Sequence, residues 1–178
     1  ALVGLSGTGK STVAPLLAAR LGIATVDLDR EIERRLGASV SELFGSIGEP
    51  AFRSAESTAL VDAFDAPPSV VATGGGAVLS PANRQLLSER ATVVWLQLDV
   101  DDLVARLSRS AEARPLLASD PATALRALAT EREPYYRETA DFVVDVAGLS
   151  PFDVADVVAS LVRPGVGASG RVDGGAPA

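Results

Sequence analysis

The sequence predicts an α/β domain in which helices surround a parallel β-sheet. Five short apolar runs, rich in Val, Ile and Thr, have the length and composition of strands buried on both faces. Between these runs, apolar residues recur at helical spacing. Strands that alternate with helices indicate parallel strands joined by helical crossovers, and 178 residues fit one such domain.

The predicted elements follow one another along the first 162 residues. The predicted strands cover residues 1–5, 23–28, 69–73, 91–98 and 141–146. The predicted helices cover residues 10–21, 30–36, 39–46, 49–64, 82–89, 99–109, 121–131 and 151–162, and several of them begin at Ser, Asp or Pro. We therefore expect the folded domain to span residues 1–162.

Two segments show no such pattern. Residues 109–120 (RSAEARPLLASD) are polar at both ends and lie between two predicted helices, which favours a mobile lid. Residues 163–178 are rich in Gly, Pro and small side chains, so they cannot bury enough apolar surface to offset their ordering entropy. We expect these last residues to form a disordered tail.

Composition excludes several kinds of chemistry. The 23 acidic and 16 basic residues give a net charge of −7, which makes nucleic acid an unfavourable partner. Because the chain has no Cys and no His, it has no thiol, imidazole base or zinc site built from those ligands. The chemistry must use carboxylates, Arg, Lys, hydroxyls and backbone amides, with a hard metal as an allowed cofactor.

The start of the chain indicates a cytoplasmic protein. No stretch approaches the roughly 18 uninterrupted apolar residues that a membrane span needs. The first residues run from an apolar strand directly into a glycine loop, unlike a signal peptide. We expect a soluble protein, and we expect a few native residues to precede Ala1, since the first strand is short and lacks Met.

A glycine-rich loop indicates nucleotide binding. Residues 4–11, GLSGTGKS, match the pattern G-x-x-x-x-G-K-[ST] between a predicted strand and a predicted helix. Gly7 and Gly9 would let backbone amides turn towards phosphate oxygens. Lys10 would reach the β- and γ-phosphates and Ser11 would ligate Mg²⁺, at a helix N-terminus that is itself positive. A glycine-rich turn that matches by chance is the alternative.

Lys10 is the only lysine of the chain, and the other fifteen basic residues are arginines. A general drift towards arginine explains those fifteen. The retained lysine indicates a site where a compact ammonium cannot be replaced by a planar guanidinium, and phosphate binding is such a site.

Asp27 and Asp29, in VDLDRE, are predicted at the carboxyl end of the second strand, where ligands bind in open α/β sheets. Because side chains two apart on a strand share a face, we expect the two carboxylates to converge near the phosphates. The alternative for Asp29 is a cap on a helix opening at Arg30, and a cap is compatible with a ligand role.

TGGGAV, residues 73–78, also follows a predicted strand. Three consecutive glycines cost conformational entropy, so we expect a ligand to approach the backbone closely here, with a flexible turn as the alternative. Arg53, Arg114 and Arg132 occur singly in irregular or helix-end settings. Considered one at a time, each is more typical of a solvated surface charge.

The order of the motifs resembles the shikimate kinase family over residues 1 to about 162: GLSGTGKST, DLD, GEPAFR, TGGGAVLS, RPLL and R-x-P-x-Y. The resemblance implies a three-layer P-loop kinase fold with a five-stranded parallel sheet, helices on both faces and a mobile lid. It implies transfer of the γ-phosphoryl of ATP to the 3-hydroxyl of shikimate in aromatic amino-acid biosynthesis. ATP and shikimate are then the partners, Mg²⁺ is the cofactor, and we expect a monomer.

The resemblance also implies roles for individual residues. The ATP phosphate loop corresponds to Gly7, Thr8, Gly9, Lys10, Ser11 and Thr12. Ser11 resembles the magnesium ligand and Asp27 the acidic residue that holds magnesium through water. Asp29 resembles the residue that binds the acceptor hydroxyls and can act as a base.

Arg53 and Arg132 resemble the pair that holds the shikimate carboxylate, and the backbone of Gly75 and Gly76 lines the same pocket. Arg114 resembles the lid arginine that meets the phosphates, and Arg106 an arginine that flanks the adenine. Lys10, Asp29 and Arg114 are then the catalytic residues. DLD stands where the family commonly has DTD, and the first strand is short, but neither departure removes a charged group.

Two other functions remain open. A sugar-acid kinase, such as a gluconate kinase, shares the loop and the lid and also binds a carboxylate, but the motifs after Asp29 favour shikimate. A sensor domain could bind these ligands without turnover. Such regulators carry a DNA-binding segment, which is not visible here, and the RPLL motif and both aspartates favour turnover.

Overall fold

The structure, a computed structural model, describes residues 1–108 and 121–162. The predicted lid at residues 109–120, with Arg114 inside it, lies outside the described residues. The predicted tail at residues 163–178 also lies outside them. The expectations for these segments therefore stay predictions.

Five parallel strands form one sheet in the order β2-β3-β1-β4-β5, which confirms the predicted sheet. The strands are β1 (Leu2–Val3), β2 (Ala24–Asp27), β3 (Ser69–Ala72), β4 (Val94–Gln97) and β5 (Phe142–Asp145). In β1, Leu2 pairs with Ala72 on one side and with Val94 on the other. The shortest strand is therefore the central one, and the loop that follows it leaves the middle of the sheet.

Eight helices pack around the sheet within the described ranges: α1 (Lys10–Leu21), α2 (Leu28–Leu36), α3 (Val40–Ser46), α4 (Gly48–Asp65), α5 (Pro81–Arg90), α6 (Val100–Ser108), α7 (Pro121–Thr139) and α8 (Pro151–Val162). A 3₁₀ turn covers Ala77–Leu79. Local signals explain several starts: Ser39 and Glu42 form a capping box for α3, and Ser80 caps α5 ahead of Pro81. Within residues 1–108 and 121–162, no helix combines the length and apolar character that crossing a membrane requires.

The strands differ from the prediction in their burial. The central strands β1, β3 and β4 are buried almost throughout, as expected. In the outer strands the prediction of burial on both faces was wrong, since Ala24, Thr25 and Val143 are exposed. An edge strand has a neighbouring strand on one side only, so more of its surface stays accessible.

Helix α7 is longer than the prediction, which ended it at residue 131. Proline inside a helix removes a hydrogen bond and costs about 3 kcal/mol, so EREPYY looked like a helix end. The helix instead continues through Pro134 to Thr139, and its last turns bury Tyr136 against Trp95. Arg132 therefore lies well inside α7, and its predicted setting in an irregular or helix-end segment was wrong.

Candidate active site

The phosphate loop, residues 4–11, connects the central strand β1 to α1. Gly9 occupies the N-cap position of α1 at φ 100, a left-handed conformation that residues with a side chain rarely adopt. The amides of Thr12 and Val13 donate to the Gly9 carbonyl at 3.0 and 2.9 Å. Ser11 and Thr12 are exposed on the first helical turn. The loop thus has the strand–loop–helix context predicted for it.

Lys10 lies inside this loop. Its side chain is 6% exposed, and Nζ donates to the carbonyls of Gly4 and Leu5 at 2.7 and 2.8 Å. The Thr8 hydroxyl donates to the same Leu5 carbonyl at 2.9 Å. The ammonium is therefore held by backbone carbonyls of the loop that is expected to receive phosphate.

Arg106 reaches the phosphate loop from α6. Its Nη1 lies 3.5 Å from the Thr8 carbonyl oxygen and 3.9 Å from the position that a Cβ on Gly9 would occupy. The structure thus brings Arg106 to the loop predicted to bind ATP, while its predicted place beside the adenine stays a prediction. An arginine in this position can contact either the phosphates or the base of a nucleotide.

The two aspartates lie on different elements. Asp27 ends β2 and caps α2, since its Oδ1 accepts a hydrogen bond of 3.3 Å from the Arg30 amide. Asp29 lies in the first turn of α2. The alternation of side chains along a strand therefore does not relate the two carboxylates, and their predicted placement on one strand was wrong. Their convergence near the phosphates stays a prediction. The helix begins two residues earlier than predicted, and its cap is Asp27 rather than Asp29.

The glycine run, residues 74–76, follows β3 and is enclosed by other groups of the protein. A Cβ on Gly74 would overlap Glu56 Oε1 and lie 2.9 Å from Asp29 Oδ1. A Cβ on Gly76 would overlap the Arg53 guanidinium. The groups that approach this run closely in the structure are the protein's own side chains. The predicted approach of a ligand stays a prediction.

The middle of the run contacts both the phosphate loop and α7. A Cβ on Gly75 would lie 3.1 Å from the Ser6 amide nitrogen. The Gly75 carbonyl accepts hydrogen bonds from Arg132 Nη1 at 3.1 Å and from the Tyr136 hydroxyl at 2.5 Å. Arg132 is 12% exposed, and its buried Nε has no hydrogen-bond partner among the described residues.

Glu56 and Tyr136 are site residues that the sequence analysis missed. Glu56 is 1% exposed in α4, and its Oε2 accepts a hydrogen bond of 2.9 Å from Arg53 Nη1. Its buried Oε1 has no hydrogen-bond partner among the described residues. Burial raises the pKa of the Glu56 carboxyl, and the Arg53 cation opposes that rise.

A helical reading of GEPAFRSAE could have found this network. Glu49, Arg53 and Glu56 follow the i, i+4 and i, i+3 spacings that place side chains together on a helix, and Arg53 pairs with both glutamates. The Arg53 guanidinium also lies 5.4 Å from the centre of the Phe44 ring and 5.6 Å from that of Phe52. Arg53 is therefore fixed in orientation before any ligand arrives.

We expect the stability of Arg53→Ala to fall more steeply with rising pH than that of the unchanged protein. The substitution leaves the buried Glu56 carboxylate without its cation, which raises its pKa further above the value in the unfolded chain. A carboxyl whose pKa is higher in the folded protein than in the unfolded chain stabilises the fold fully at pH values below the unfolded-state pKa. This stabilisation is lost as the pH rises through the folded-state pKa. Each unit of difference is worth about 1.4 kcal/mol.

The measurement is the free energy of unfolding in urea at about pH 5 and about pH 8. The double variant Arg53→Ala/Glu56→Gln should lose the extra pH dependence. Arg34→Ala is the matched control, because the pKa of its half-buried partner Glu31 is lowered to about 2 by hydrogen bonds from Arg34 and Arg35, outside this pH range. Equal pH dependence in the single and double variants would contradict this account of Glu56.

Four elements thus meet beside the phosphate loop: α2, α4, α7 and the glycine run. They bring together a carboxylate from Asp29, guanidinium groups from Arg53 and Arg132, and the main chain of Gly75 and Gly76. Two fixed cations can hold a small anion, and a nearby carboxylate can accept a hydrogen bond from a hydroxyl. This arrangement suits an anionic, hydroxyl-bearing acceptor next to a nucleotide.

Residues 6–163 match the family model described as Shikimate kinase. The chain belongs to the shikimate kinase family. It is 45% identical over 163 residues to the shikimate kinase of Pseudoalteromonas atlantica. The aligned residues cover 91% of this chain and 95% of that protein. It is 47% identical over 145 residues to the shikimate kinase of Nitrobacter winogradskyi, which covers 81% and 67% of the two chains.

Solved shikimate kinases share the fold. The shikimate kinase from Acinetobacter baumannii, described in complex with shikimate, superposes with a TM-score of 0.83 at 36% identity and covers 90% of each chain. The shikimate kinase from Bacteroides thetaiotaomicron also gives a TM-score of 0.83, at 28% identity over 90% of this chain and 95% of that one. The predicted P-loop kinase fold and the predicted phosphotransferase family are therefore confirmed.

Proposed function

We propose that this shikimate kinase family member transfers the γ-phosphoryl group of ATP to the 3-hydroxyl of shikimate, giving 3-phosphoshikimate and ADP for aromatic amino-acid biosynthesis. The observation that carries the proposal is the meeting of Asp29, Arg53 and Arg132 at the glycine run, beside the phosphate loop. The related enzyme of Acinetobacter baumannii, described in complex with shikimate, supports the choice of acceptor.

Arg53 and Arg132 bind the carboxylate of the acceptor in this proposal. A guanidinium offers several N–H donors in a fixed plane, which suits a carboxylate better than an ammonium does. The ion pairs of Arg53 with Glu49 and Glu56 hold its plane, and the buried Nε of Arg132 has a donor to offer. The backbone at Gly75 and Gly76 forms the adjoining wall.

Asp29 accepts a hydrogen bond from the acceptor hydroxyl and orients its oxygen towards the γ-phosphorus. Its carboxylate and that of Glu56 both approach Gly74, and the negative charge of Asp29 contributes to the raised pKa of Glu56. Phosphoryl transfer through a loose transition state needs little base assistance, so positioning accounts for much of what Asp29 does. It also takes the hydroxyl proton when the new bond forms.

The phosphate loop binds ATP through the backbone amides and side chains of Gly7, Thr8, Gly9, Lys10, Ser11 and Thr12. Lys10 exchanges its carbonyl partners Gly4 and Leu5 for phosphate oxygens and stabilises the charge that develops there. Arg106 flanks the nucleotide from α6. Arg114, in the predicted lid, meets the phosphates and completes the cationic set.

Ser11 and Asp27 would hold Mg²⁺, which neutralises charge on the nucleotide phosphates when bound. Their donors fit this ion, because Mg²⁺ prefers hard oxygen ligands and keeps several of its waters. The Ser11 side chain is exposed, and no hydrogen bond from the described residues reaches Oδ2 of Asp27. In residues 1–108 and 121–162 no three acidic side chains gather as an all-protein cage, so phosphates and water would complete the shell.

We further propose that the enzyme works as a cytoplasmic monomer on these two small substrates, without nucleic-acid or membrane partners. The net charge of −7 supports the first of these exclusions, because it repels a polyanion. Light scattering on the purified protein would test the monomeric state.

We expect purified protein to release ADP rapidly with shikimate and Mg²⁺, and with gluconate at a kcat/KM at least about 100-fold lower. The arginines and Asp29 surround a pocket for a ring that carries a carboxylate and hydroxyls, and a flexible sugar acid leaves some of these polar groups unpaired. A coupled ADP-release assay with shikimate, quinate and gluconate measures the difference, with ATP alone as the control.

Equal rates on shikimate and gluconate would contradict the assignment of the acceptor. Binding of shikimate by calorimetry without ADP release from any acceptor would instead indicate a sensor domain.

A further inference from the structure

Tyr136 is a buried phenol of α7 that the transfer reaction, as described above, does not use. Its side chain is 1% exposed and its ring stacks on Trp95, with 5.6 Å between the ring centres. Its hydroxyl donates a hydrogen bond of 2.5 Å to the Gly75 carbonyl oxygen. The ring contact and the short hydrogen bond together leave the side chain one orientation.

The same carbonyl oxygen also accepts the hydrogen bond of 3.1 Å from Arg132 Nη1. Arg132 and Tyr136 are four residues apart, so one face of α7 supplies both donors. A carbonyl oxygen has two lone pairs, and these two donors engage both. The orientation of the Gly75 carbonyl is therefore set by α7 from two points.

Fixing this carbonyl fixes the amide on the other side of the same peptide bond. The peptide between Gly75 and Gly76 is trans, so its N–H points opposite to its C=O and away from α7. Gly76 lies against the Arg53 guanidinium, and its amide makes no hydrogen bond to any described residue. The Ala77 amide donates to the Gly74 carbonyl at 3.2 Å, so this peptide is the central one of a closed turn. In a turn with glycine at both central positions the central peptide can flip, and the two donors from α7 select one of its orientations.

We infer that Tyr136 is a positioning residue that holds the Gly75–Gly76 peptide so that its N–H donates to the acceptor carboxylate between Arg53 and Arg132. The inference rests on the proposed function, because it takes shikimate as the acceptor. Burial also raises the pKa of the Tyr136 hydroxyl, so the phenol stays protonated and remains a donor across the working pH range.

The test is Tyr136→Phe, which keeps the ring and removes the hydroxyl. We expect KM for shikimate to rise about tenfold while KM for ATP stays unchanged. The methyl ester of shikimate provides the decisive second acceptor, because it lacks the negative charge that strengthens a hydrogen bond from the amide. The ratio of kcat/KM between the unchanged protein and Tyr136→Phe should therefore be clearly smaller with the ester than with shikimate.

Tyr135→Phe is the matched control. The Tyr135 ring packs under the Arg84 guanidinium at 4.5 Å, and its hydroxyl makes no hydrogen bond to the described residues. Tyr135→Phe should leave kcat/KM unchanged for both shikimate and its methyl ester. Thermal unfolding of both variants checks that they fold.

Each of the other outcomes would contradict either the role of Tyr136 or the proposed function. An equal loss on shikimate and on its ester, or a rise in KM for ATP, would show a merely structural role for Tyr136. Unchanged kinetics would show that Arg132 alone suffices. If the unchanged protein does not phosphorylate shikimate at all, the proposed function fails and this inference falls with it.

Discussion

Lys10→Arg is expected to lose most of its kcat, by about 10²–10³-fold, although the positive charge is kept. The ammonium of Lys10 is 6% exposed and is held at 2.7 and 2.8 Å by two carbonyls of the phosphate loop. A planar guanidinium is wider than an ammonium and cannot make the same contacts in that space. Single-turnover kinetics at saturating ATP and shikimate measure the effect on the transfer step.

The matched control exchanges the same two residue types at the surface. Arg34 is 70% exposed in an ion pair with Glu31, so Arg34→Lys should leave kcat unchanged. Near-normal activity in Lys10→Arg would show that the lone lysine of the chain is an accident of composition. A loss confined to KM for ATP would show that Lys10 binds the ground state and the transition state equally.

Asp29→Asn is expected to lower kcat by about 10²–10⁴-fold and to raise KM for shikimate, while the Mg²⁺ requirement stays normal. The amide keeps the size and some of the hydrogen bonding of the carboxylate but cannot accept the hydroxyl proton. Asp29 lies at the glycine run in the first turn of α2, beside the residues proposed to bind the acceptor.

Asp27→Asn is the comparison that makes this result interpretable. Asn caps a helix about as well as Asp, so the hydrogen bond to the Arg30 amide should survive and α2 should keep its start. Removing the charge should raise the Mg²⁺ midpoint, by on the order of 10–100-fold, because an outer carboxylate orients the waters of the metal. Mg²⁺ titrations of both variants at saturating substrates decide between the roles. A shifted midpoint in Asp29→Asn alone would reverse them.

The sequence predicted most elements because their signals are local. Helix α1 begins at the glycine loop and ends at Leu21, where Gly22 caps it, and both limits are visible in the sequence. The order of the strands is not local, so periodicity could not show that β2 and β5 lie at the edges with exposed residues. Pro134 was misleading for a related reason. The cost of a proline inside a helix can be read from the sequence, but the burial of Tyr136, which outweighs that cost, cannot.

The candidate site likewise has one part that is local in sequence and one part that is not. The phosphate loop is one continuous segment, so its residues could be named from the motif and its position. The proposed acceptor pocket is assembled from α2, α4, α7 and the glycine run, which are far apart in sequence. Motif resemblance supplied Asp29, Arg53 and Arg132, and the helical spacing of Glu56 from Arg53 could have added Glu56. Tyr136 required knowledge of which side chain approaches the Gly75 carbonyl.

The enclosed glycine run has a bearing on inhibitor design. A compound that binds against residues 74–76 would contact main-chain atoms rather than side chains. Few single substitutions could then remove its contacts. A larger residue at Gly74 places a carbon on Glu56, and one at Gly76 places it on Arg53. The carbon on Gly74 would also lie 2.9 Å from Asp29 Oδ1. A resistant variant at either position would thus displace a residue proposed to bind the natural acceptor, and we expect it to lose activity together with its sensitivity to the inhibitor.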